Sequence, residues 1–404
     1  MSRASTPSLA AAAASSPSPS SPSPSSRGGG DHRGSHHHHP PRRFATTPLT
    51  GVRDLVREGK TIWLLDQFGV LHDGKTAYPA AIHATKRLYD AGAKLYVISN
   101  SSRRSAKTLA KLEPMGFDPA WFAGAITSGE MTWRALEARD AFEGSAEADA
   151  RGPKPFAGDK VLHFTWSERG SIALDGLGLT TVTSPDDADF IVAHGTEAVN
   201  GAGDTDAQRA AGIELKAMED MRGLLRRAAR RNIPMMVANP DYVTVGGEGG
   251  ALMKMPGTLA RWYEEALESE SESDGEGEDG TPTGTGTGGV VHLMGKPNKI
   301  IYDEVFRMAS DGGGGARRTI SMENVVAVGD SLEHDVIGAQ NAGCDVVFVC
   351  GGIHADDLGM DPAALTGDGV GDGAAVPFPP AEAIERVARA HDAAPTYAVP
   401  VFKW

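Results

Sequence analysis

The sequence predicts an α/β fold with a parallel sheet flanked by helices, and three observations carry that prediction. Apolar runs at 62–65, 95–98, 325–328 and 346–349 are hydrophobic without alternation, as strands buried on both faces are. Helical spacing lies between them. Ile82, Leu88 and Tyr89 share one face closed by Gly92 as a left-handed C-cap, and a second helix follows Asp330 and ends at Gly343. The runs also end on polar residues (Asp66, Ser99, Lys296 and Asp330), at the strand ends where open parallel sheets gather ligands.

The chain has 404 residues, enough for two or three domains with ample core. Its 50 Gly and 25 Pro require part of it to be loop or disorder. No apolar run approaches the roughly 18 residues that a membrane-spanning helix needs. Cys344 and Cys350 are the two cysteines, too few for a disulfide scaffold or a cysteine zinc site, and too far apart along one strand to pair. The net charge of −14 is uneven. Residues 1–44 carry +4, whereas 264–279 hold nine acids and no base. What remains is mildly acidic with no basic face, which argues against nucleic-acid binding.

Residues 1–44 are rich in Ser, Ala, Pro and Gly and cannot bury enough apolar area to order themselves. Acid-poor with scattered Arg, they have the composition of an organellar transit peptide, plastid ahead of mitochondrion, with a cytoplasmic protein bearing a plain tail as the alternative. The histidines at 36–39 read as a solvated tract. Residues 265–289, acidic and Gly-rich, read as a disordered surface insertion. Gly-rich pieces at 312–315 and 367–373 read as lengthened loops.

The strand-end residues form a coherent chemical set. They are Asp66 in LLDQFGVLHDG, Ser99 in YVISNSS, Lys296 in HLMGKPNK and Asp330 in VVAVGDSLEHD. Two carboxylates can hold a hard cation such as Mg2+, which prefers oxygen ligands. A hydroxyl and an ammonium can hold phosphate oxygens, and one aspartate can attack phosphorus to give an aspartyl phosphate. Singly, each residue has a plainer reading. An Asp after a strand caps a helix, Ser99-Asn100 starts a loop, Lys296 is solvated before a helix starting at Pro297, and Asp335 lies on an exposed face.

Taken in order, the four segments resemble the four motifs of the haloacid dehalogenase-like (HAD) superfamily. The long stretch between the second and third motifs is similar to the α/β cap of its class II-A members, helped by 127–130, 188–192 and Ala238-Asn239-Pro240-Asp241. The resemblance implies a Rossmann-like doubly wound core at 45–115 and 290–404, with an inserted cap at 116–264. It implies Asp66 as nucleophile, Ser99 and Asn100 as phosphate contacts, and Lys296 as the catalytic lysine. Mg2+ would be held by Asp66, Asp330, Asp335 and the backbone carbonyl of Phe68, and Asn239 and Asp241 become candidate cap contacts to substrate. A small phosphorylated partner follows, with neither nucleic acid nor membrane, and a homodimer is compatible without being required. A haloalkanoate dehalogenase is the weaker reading, because those enzymes need no Mg2+ whereas GDSLEHD keeps the acidic motif.

One position departs from the family pattern. Phosphatases of the family usually carry a second Asp two residues after the nucleophile, as general acid and base. Here that residue is Phe68. Such a group contributes about 10²–10⁴-fold. Attack by Asp66 survives its loss best with a leaving group that needs no proton, such as an acyl phosphate, and hydrolysis of the aspartyl phosphate should suffer most. His72 and Asp73 are alternative proton sources, or simply loop residues, and Phe68 can instead pack on an apolar part of a substrate. Two functions therefore compete. One is a magnesium-dependent phosphohydrolase acting on a small phosphorylated metabolite through an aspartyl phosphate. The other is a phospholigand-binding or regulatory protein that kept fold and metal and lost turnover.

Overall fold

The structure, a computed structural model, describes residues 46–139, 156–167, 172–200, 213–245, 252–273, 290–311, 319–360 and 376–404. The expected leader with its histidines at 36–39, residues 274–289 of the acidic insertion and the Gly-rich pieces at 312–315 and 367–373 lie outside the described residues.

Seven parallel strands form the first sheet, in the order Thr47–Pro48, Tyr397–Val399, Asp345–Val349, Val325–Gly329, Ile62–Leu65, Lys94–Ser99, Phe122–Thr127. The uninterrupted apolar runs are explained by cover on both faces. Trp63, Leu65 and Val97 enter one hydrophobic cluster, while Leu64, Tyr96 and Ile98 enter another. From Ile62–Leu65 the chain winds outward through 94–99 to 122–127, and after the second sheet it returns on the other side through 325–329, 345–349 and 397–399. The strand order reverses between Ile62–Leu65 and Val325–Gly329, where a doubly wound sheet opens a crevice.

The helix Pro79–Asp90 starts with Pro79 in its first turn and leaves through Gly92 at φ +83°. Its inward face is Ala81, Ala84, Thr85 and Leu88. Small side chains let it pack closely on the sheet, which turns Tyr89 to the flank. Tyr89 is 45% exposed, so the apolar face expected from it is displaced by one position. After Asp330 a wide π-type turn over Leu332–Val336 leads into Ile337–Ala342, which ends at Gly343 with φ +78°.

A second sheet of seven strands is inserted between these halves. It runs Val291–Leu293, Met235–Val237, Phe190–Ala193, Lys160–Thr165, Ala198–Asn200, Ile213–Leu215, with Thr180–Val182 beside Lys160–Thr165. Its first four strands are parallel and the last two antiparallel. Helices Met218–Arg230 and Pro256–Ser273 cover it through Leu225, Ala228, Leu259 and Tyr263.

Three expected boundaries differ from this arrangement. Phe122–Thr127, expected in the cap, is the edge strand of the core sheet, in register with Lys94–Ser99 through Ile98 and Ile126. Val291–Leu293, expected in the core, pairs with Met235–Val237 of the cap. The helix Pro256–Ser273 carries order past residue 264 into the stretch expected to be disordered. Its stripe of Leu259, Ala260, Tyr263 and Ala266 faces the cap core, and Glu265 and Glu270 reach Arg222 and Arg230. Charge density marks only the outer face of an amphipathic helix.

Candidate active site

Register assembles the crevice. Leu65 pairs with Val328, and the amide of Asp66 donates to the Val328 carbonyl at 2.9 Å, so Asp66 and Asp330 leave adjacent strand ends together. The wide turn after Ser331 carries Asp335 back beneath Gly329, where a Cβ would lie 2.0 Å from the Asp335 carboxyl carbon. Glycine is needed there for close approach. The same holds at Gly69, whose φ is +75° and whose Cβ would meet the Asp330 carboxylate at 1.9 Å.

Lys296 arrives from the cap strand Val291–Leu293 and is 2% exposed. Its ammonium donates to Asp66 Oδ1 and Asp335 Oδ1, both at 2.6 Å, so the solvated reading of this lysine fails. Asn100 holds the Lys296 main chain at both ends. Its Oδ1 accepts from the Lys296 amide at 2.8 Å, while its Nδ2 donates to the Lys296 carbonyl at 3.0 Å and to Asp241 Oδ1 at 2.8 Å. Expected as a phosphate contact, the Asn100 side chain is engaged instead in positioning the lysine and the cap. Asp335 is buried at 3% exposure, not on an exposed face, and accepts from the Ser331 amide with its second oxygen. Asp330 accepts from the Ile353 amide at 2.8 Å, a partner supplied by the loop after Asp345–Val349 that no sequence motif marks.

Charge balance in this cluster is incomplete. Asp66, Asp330 and Asp335 each offer an oxygen within 4.8 Å of the others, against the single ammonium of Lys296. Burial pushes the Asp66 carboxyl up to about 7, with Lys296 opposing and Asp335 adding to the rise. Burial, then Asp66 and Asp335, hold the Asp330 carboxyl well above the usual carboxylate range. Burial works against the Lys296 charge, but Asp335 and Asp66 outweigh it and keep the ammonium protonated. An all-oxygen donor set with excess negative charge suits a hard divalent cation. No backbone amide among the described residues donates to the Phe68 carbonyl, which leaves that oxygen available to a cation as well.

The remaining expected residues line the cavity around this cluster. Ser99 is buried, lines the cavity and accepts from the Ser101 amide at 3.2 Å. Asn239 accepts from the Asp241 amide at 2.9 Å, a turn-forming bond, while Asp241 reaches across to Asn100 and lies 3.7 Å from His334. Phe68 is half-buried and sits edge-on to His72, their ring centroids 6.5 Å apart. His72 accepts from the Gly74 amide and burial lowers it to about 4, and Asp73 accepts from the amides of Lys75 and Thr76. Both are loop residues in their hydrogen bonding. The cavity above the carboxylates has a volume of about 910 Å3 and takes Trp166, Tyr242 and Met255 from the cap side. Arg103, Lys107 and Lys111 also line it and belong to no motif; their four-residue spacing was the one signal that marked them.

Residues 63–168 match a family described as haloacid dehalogenase-like hydrolase, and residues 293–373 match a HAD-hydrolase-like family. No curated protein matches in sequence. Among solved structures, a haloacid dehalogenase-like hydrolase from Brucella suis 1330 is 25% identical, covering 76% of this chain and 92% of its own at a TM-score of 0.54. A p-nitrophenyl phosphatase from Archaeoglobus fulgidus is 20% identical, covering 85% of this chain and 96% of its own at a TM-score of 0.50. A possible sugar phosphatase of the HAD superfamily from Cytophaga hutchinsonii ATCC 33406 is 16% identical, covering 88% and 98% at a TM-score of 0.53. The last two likenesses speak to fold. The two matched segments supply five of the seven core strands, together with the acids and the lysine that meet in the crevice. These two segments, and with them the crevice they build, therefore belong to the haloacid dehalogenase-like superfamily of hydrolases.

Proposed function

We propose that the chain is a magnesium-dependent phosphohydrolase that acts on a small phosphorylated metabolite with Asp66 as nucleophile. The observation that carries this reading is the convergence of Asp66, Lys296, Asp330 and Asp335 in one buried crevice at the switch point of the sheet. Asp66, Asp330, Asp335 and the Phe68 carbonyl would hold Mg2+, which when bound neutralises phosphoryl oxygens. Asp66 attacks phosphorus, and the bond to the leaving oxygen breaks with its electron pair going to that oxygen. Lys296 screens charge on the phosphoryl group, with Ser99 as a hydroxyl donor to it. Water then attacks the aspartyl phosphate at phosphorus and returns the Asp66 carboxylate. The cap over the cavity favours small substrates and limits water.

Phe68 supports a second reading, a phospholigand-binding protein with little turnover, because it stands where a proton donor is expected and packs against His72. One experiment separates the two. Phosphate release from an aryl and an acyl phosphate is measured with and without Mg2+, beside Asp66→Asn. Metal-dependent release that falls at least about 10³-fold in Asp66→Asn supports the hydrolase, with the acyl phosphate preferred. Thermal stabilisation by ligand without release above the variant supports the binding protein.

A further inference from the structure

We propose that the cavity contains a second anion subsite formed by Arg103, Lys107 and Lys111, and that the substrate carries a carboxylate or second phosphate remote from its scissile phosphoryl group. This inference rests on the phosphohydrolase reading of the same cavity. The three residues are spaced by four, and Lys107 and Lys111 stand one turn apart on the helix Ala106–Leu112, about 6 Å along its axis. All three line the cavity. None makes an ion pair with an acid among the described residues.

The contrast with the neighbouring arginine is instructive. Arg104 turns away from the cavity to Glu130, with Nε–Oε2 at 2.6 Å, and its guanidinium lies 3.8 Å over the Trp133 ring. The fold thus satisfies one cation of this segment with a buried carboxylate, while the three that line the cavity stay solvent-exposed at its mouth with no carboxylate partner among the described residues. Like charges at four-residue spacing on a helix are unfavourable by themselves. Burial and Arg103 together push the Lys111 ammonium down from its ordinary value, so these groups are close enough to repel. Asp73 also lines the cavity but forms no ion pair with the three; its Oδ1 accepts from the amides of its own turn. His72, kept neutral by burial and by Lys111, adds no charge. A negatively charged group between them relieves the repulsion. The chain segment also sets the order of the two subsites: Ser99 begins the stretch at the phosphoryl end, and Arg103, Lys107 and Lys111 lead away from it.

The test compares phenyl phosphate with two carboxylated analogues of different reach, 3-carboxyphenyl phosphate and 4-(2-carboxyethyl)phenyl phosphate. It uses the wild-type chain, Lys107→Ala/Lys111→Ala and the conservative Lys107→Arg/Lys111→Arg. In wild type at least one carboxylated substrate is expected to exceed phenyl phosphate about tenfold in kcat/KM, mainly through KM. The Ala pair collapses this ratio, the Arg pair retains it, and 1 M salt reduces it. Ratios near one in wild type, or ratios unchanged by the Ala pair, overturn the subsite while leaving the hydrolase in place. If no aryl phosphate is turned over, the hydrolase reading rests on release from the acyl phosphate and fails if that too is absent. The subsite is then judged by calorimetric binding of the same compounds to the same proteins: tighter binding of a carboxylated compound that the Ala pair abolishes upholds it, and equal binding overturns it.

Discussion

Inside the cap, His163 and His194 are fully buried and share one hydrogen bond, Nε2 to Nδ1, at 2.8 Å. At the strand ends of the core, Lys296 sits between two carboxylates with a third close by. Both regions take ionisable groups out of water, and they do so in opposite ways. The cap removes the charge: burial lowers His163 to about 3, and burial together with His163 lowers His194 well below its usual value. The core gathers three carboxylates around one ammonium, and the excess pushes Asp66 and Asp330 upward, toward holding protons until a cation replaces them. A purely structural cluster gains nothing from an unbalanced charge, because a buried ion lacking a partner is costly. Neutral polar burial is what stability alone selects, and the excess of carboxylate in the core is the mark of a site built for something that arrives from outside.

The largest effect should come from removing the cation held between Asp66 and Asp335. Lys296→Met leaves Asp66 and Asp335 without their shared partner and is expected to cost about 3–5 kcal/mol in the metal-free protein. Urea unfolding checks this, and an unchanged midpoint would mean that the carboxylates are not held by the lysine. In the cap the sign follows from the neutral rings. The folded state resists protonation below the usual histidine value of 6.5 while the unfolded chain accepts it, so stability is present above pH 6.5 and lost as pH falls toward 3. Each such ring contributes about 1.4 kcal/mol per pH unit across that window. His163→Gln should flatten the acid limb of a stability profile between pH 6.5 and 5, whereas an identical slope would show that the acid limb has another source.

The core has the opposite sign. With Asp66 raised from 3.8 to about 7, the metal-free site loses stability as pH rises through that range. Mg2+ displaces the bound protons, so its stabilisation should be greater at pH 8 than at pH 5.5, by about 1–2 kcal/mol. Thermal melts with Mg2+ and with chelator at the two pH values test this, and equal shifts would sink it. The smallest effect belongs to the link between the two regions. Asp241→Ala removes the Asn100 contact and the proximity to His334, and should raise KM by a fewfold, equivalent to about 1 kcal/mol, with little change in kcat.

Much of the core was legible because its signals are local. Apolar runs buried on both faces, a polar residue at each strand end and glycine at the helix exits do not depend on distant partners; Asp66, Ser99, Lys296 and Asp330 were singled out that way, whereas Asp335, read locally as an exposed helix residue, entered only through the family resemblance. The cap margins were less legible. Phe122–Thr127 has the composition of either sheet, and only its pairing with Lys94–Ser99 assigns it to the core. Residues 265–270 look disordered by charge, yet they continue a helix whose stripe of Leu259, Tyr263 and Ala266 covers the cap core.

By itself, the sequence determined the fold class, the strand-end acids and lysine, and the replacement of an expected acid by Phe68, since each is written in residue identity and short-range spacing. Tertiary structure alone decided that Lys296 lies between Asp66 and Asp335, that the Asn100 side chain holds the lysine main chain, and that Arg103, Lys107 and Lys111 face the same cavity. Those facts depend on the register between strands far apart in the chain and on where an inserted sheet returns its lysine, and such long-range geometry leaves no periodic trace in the order of the residues.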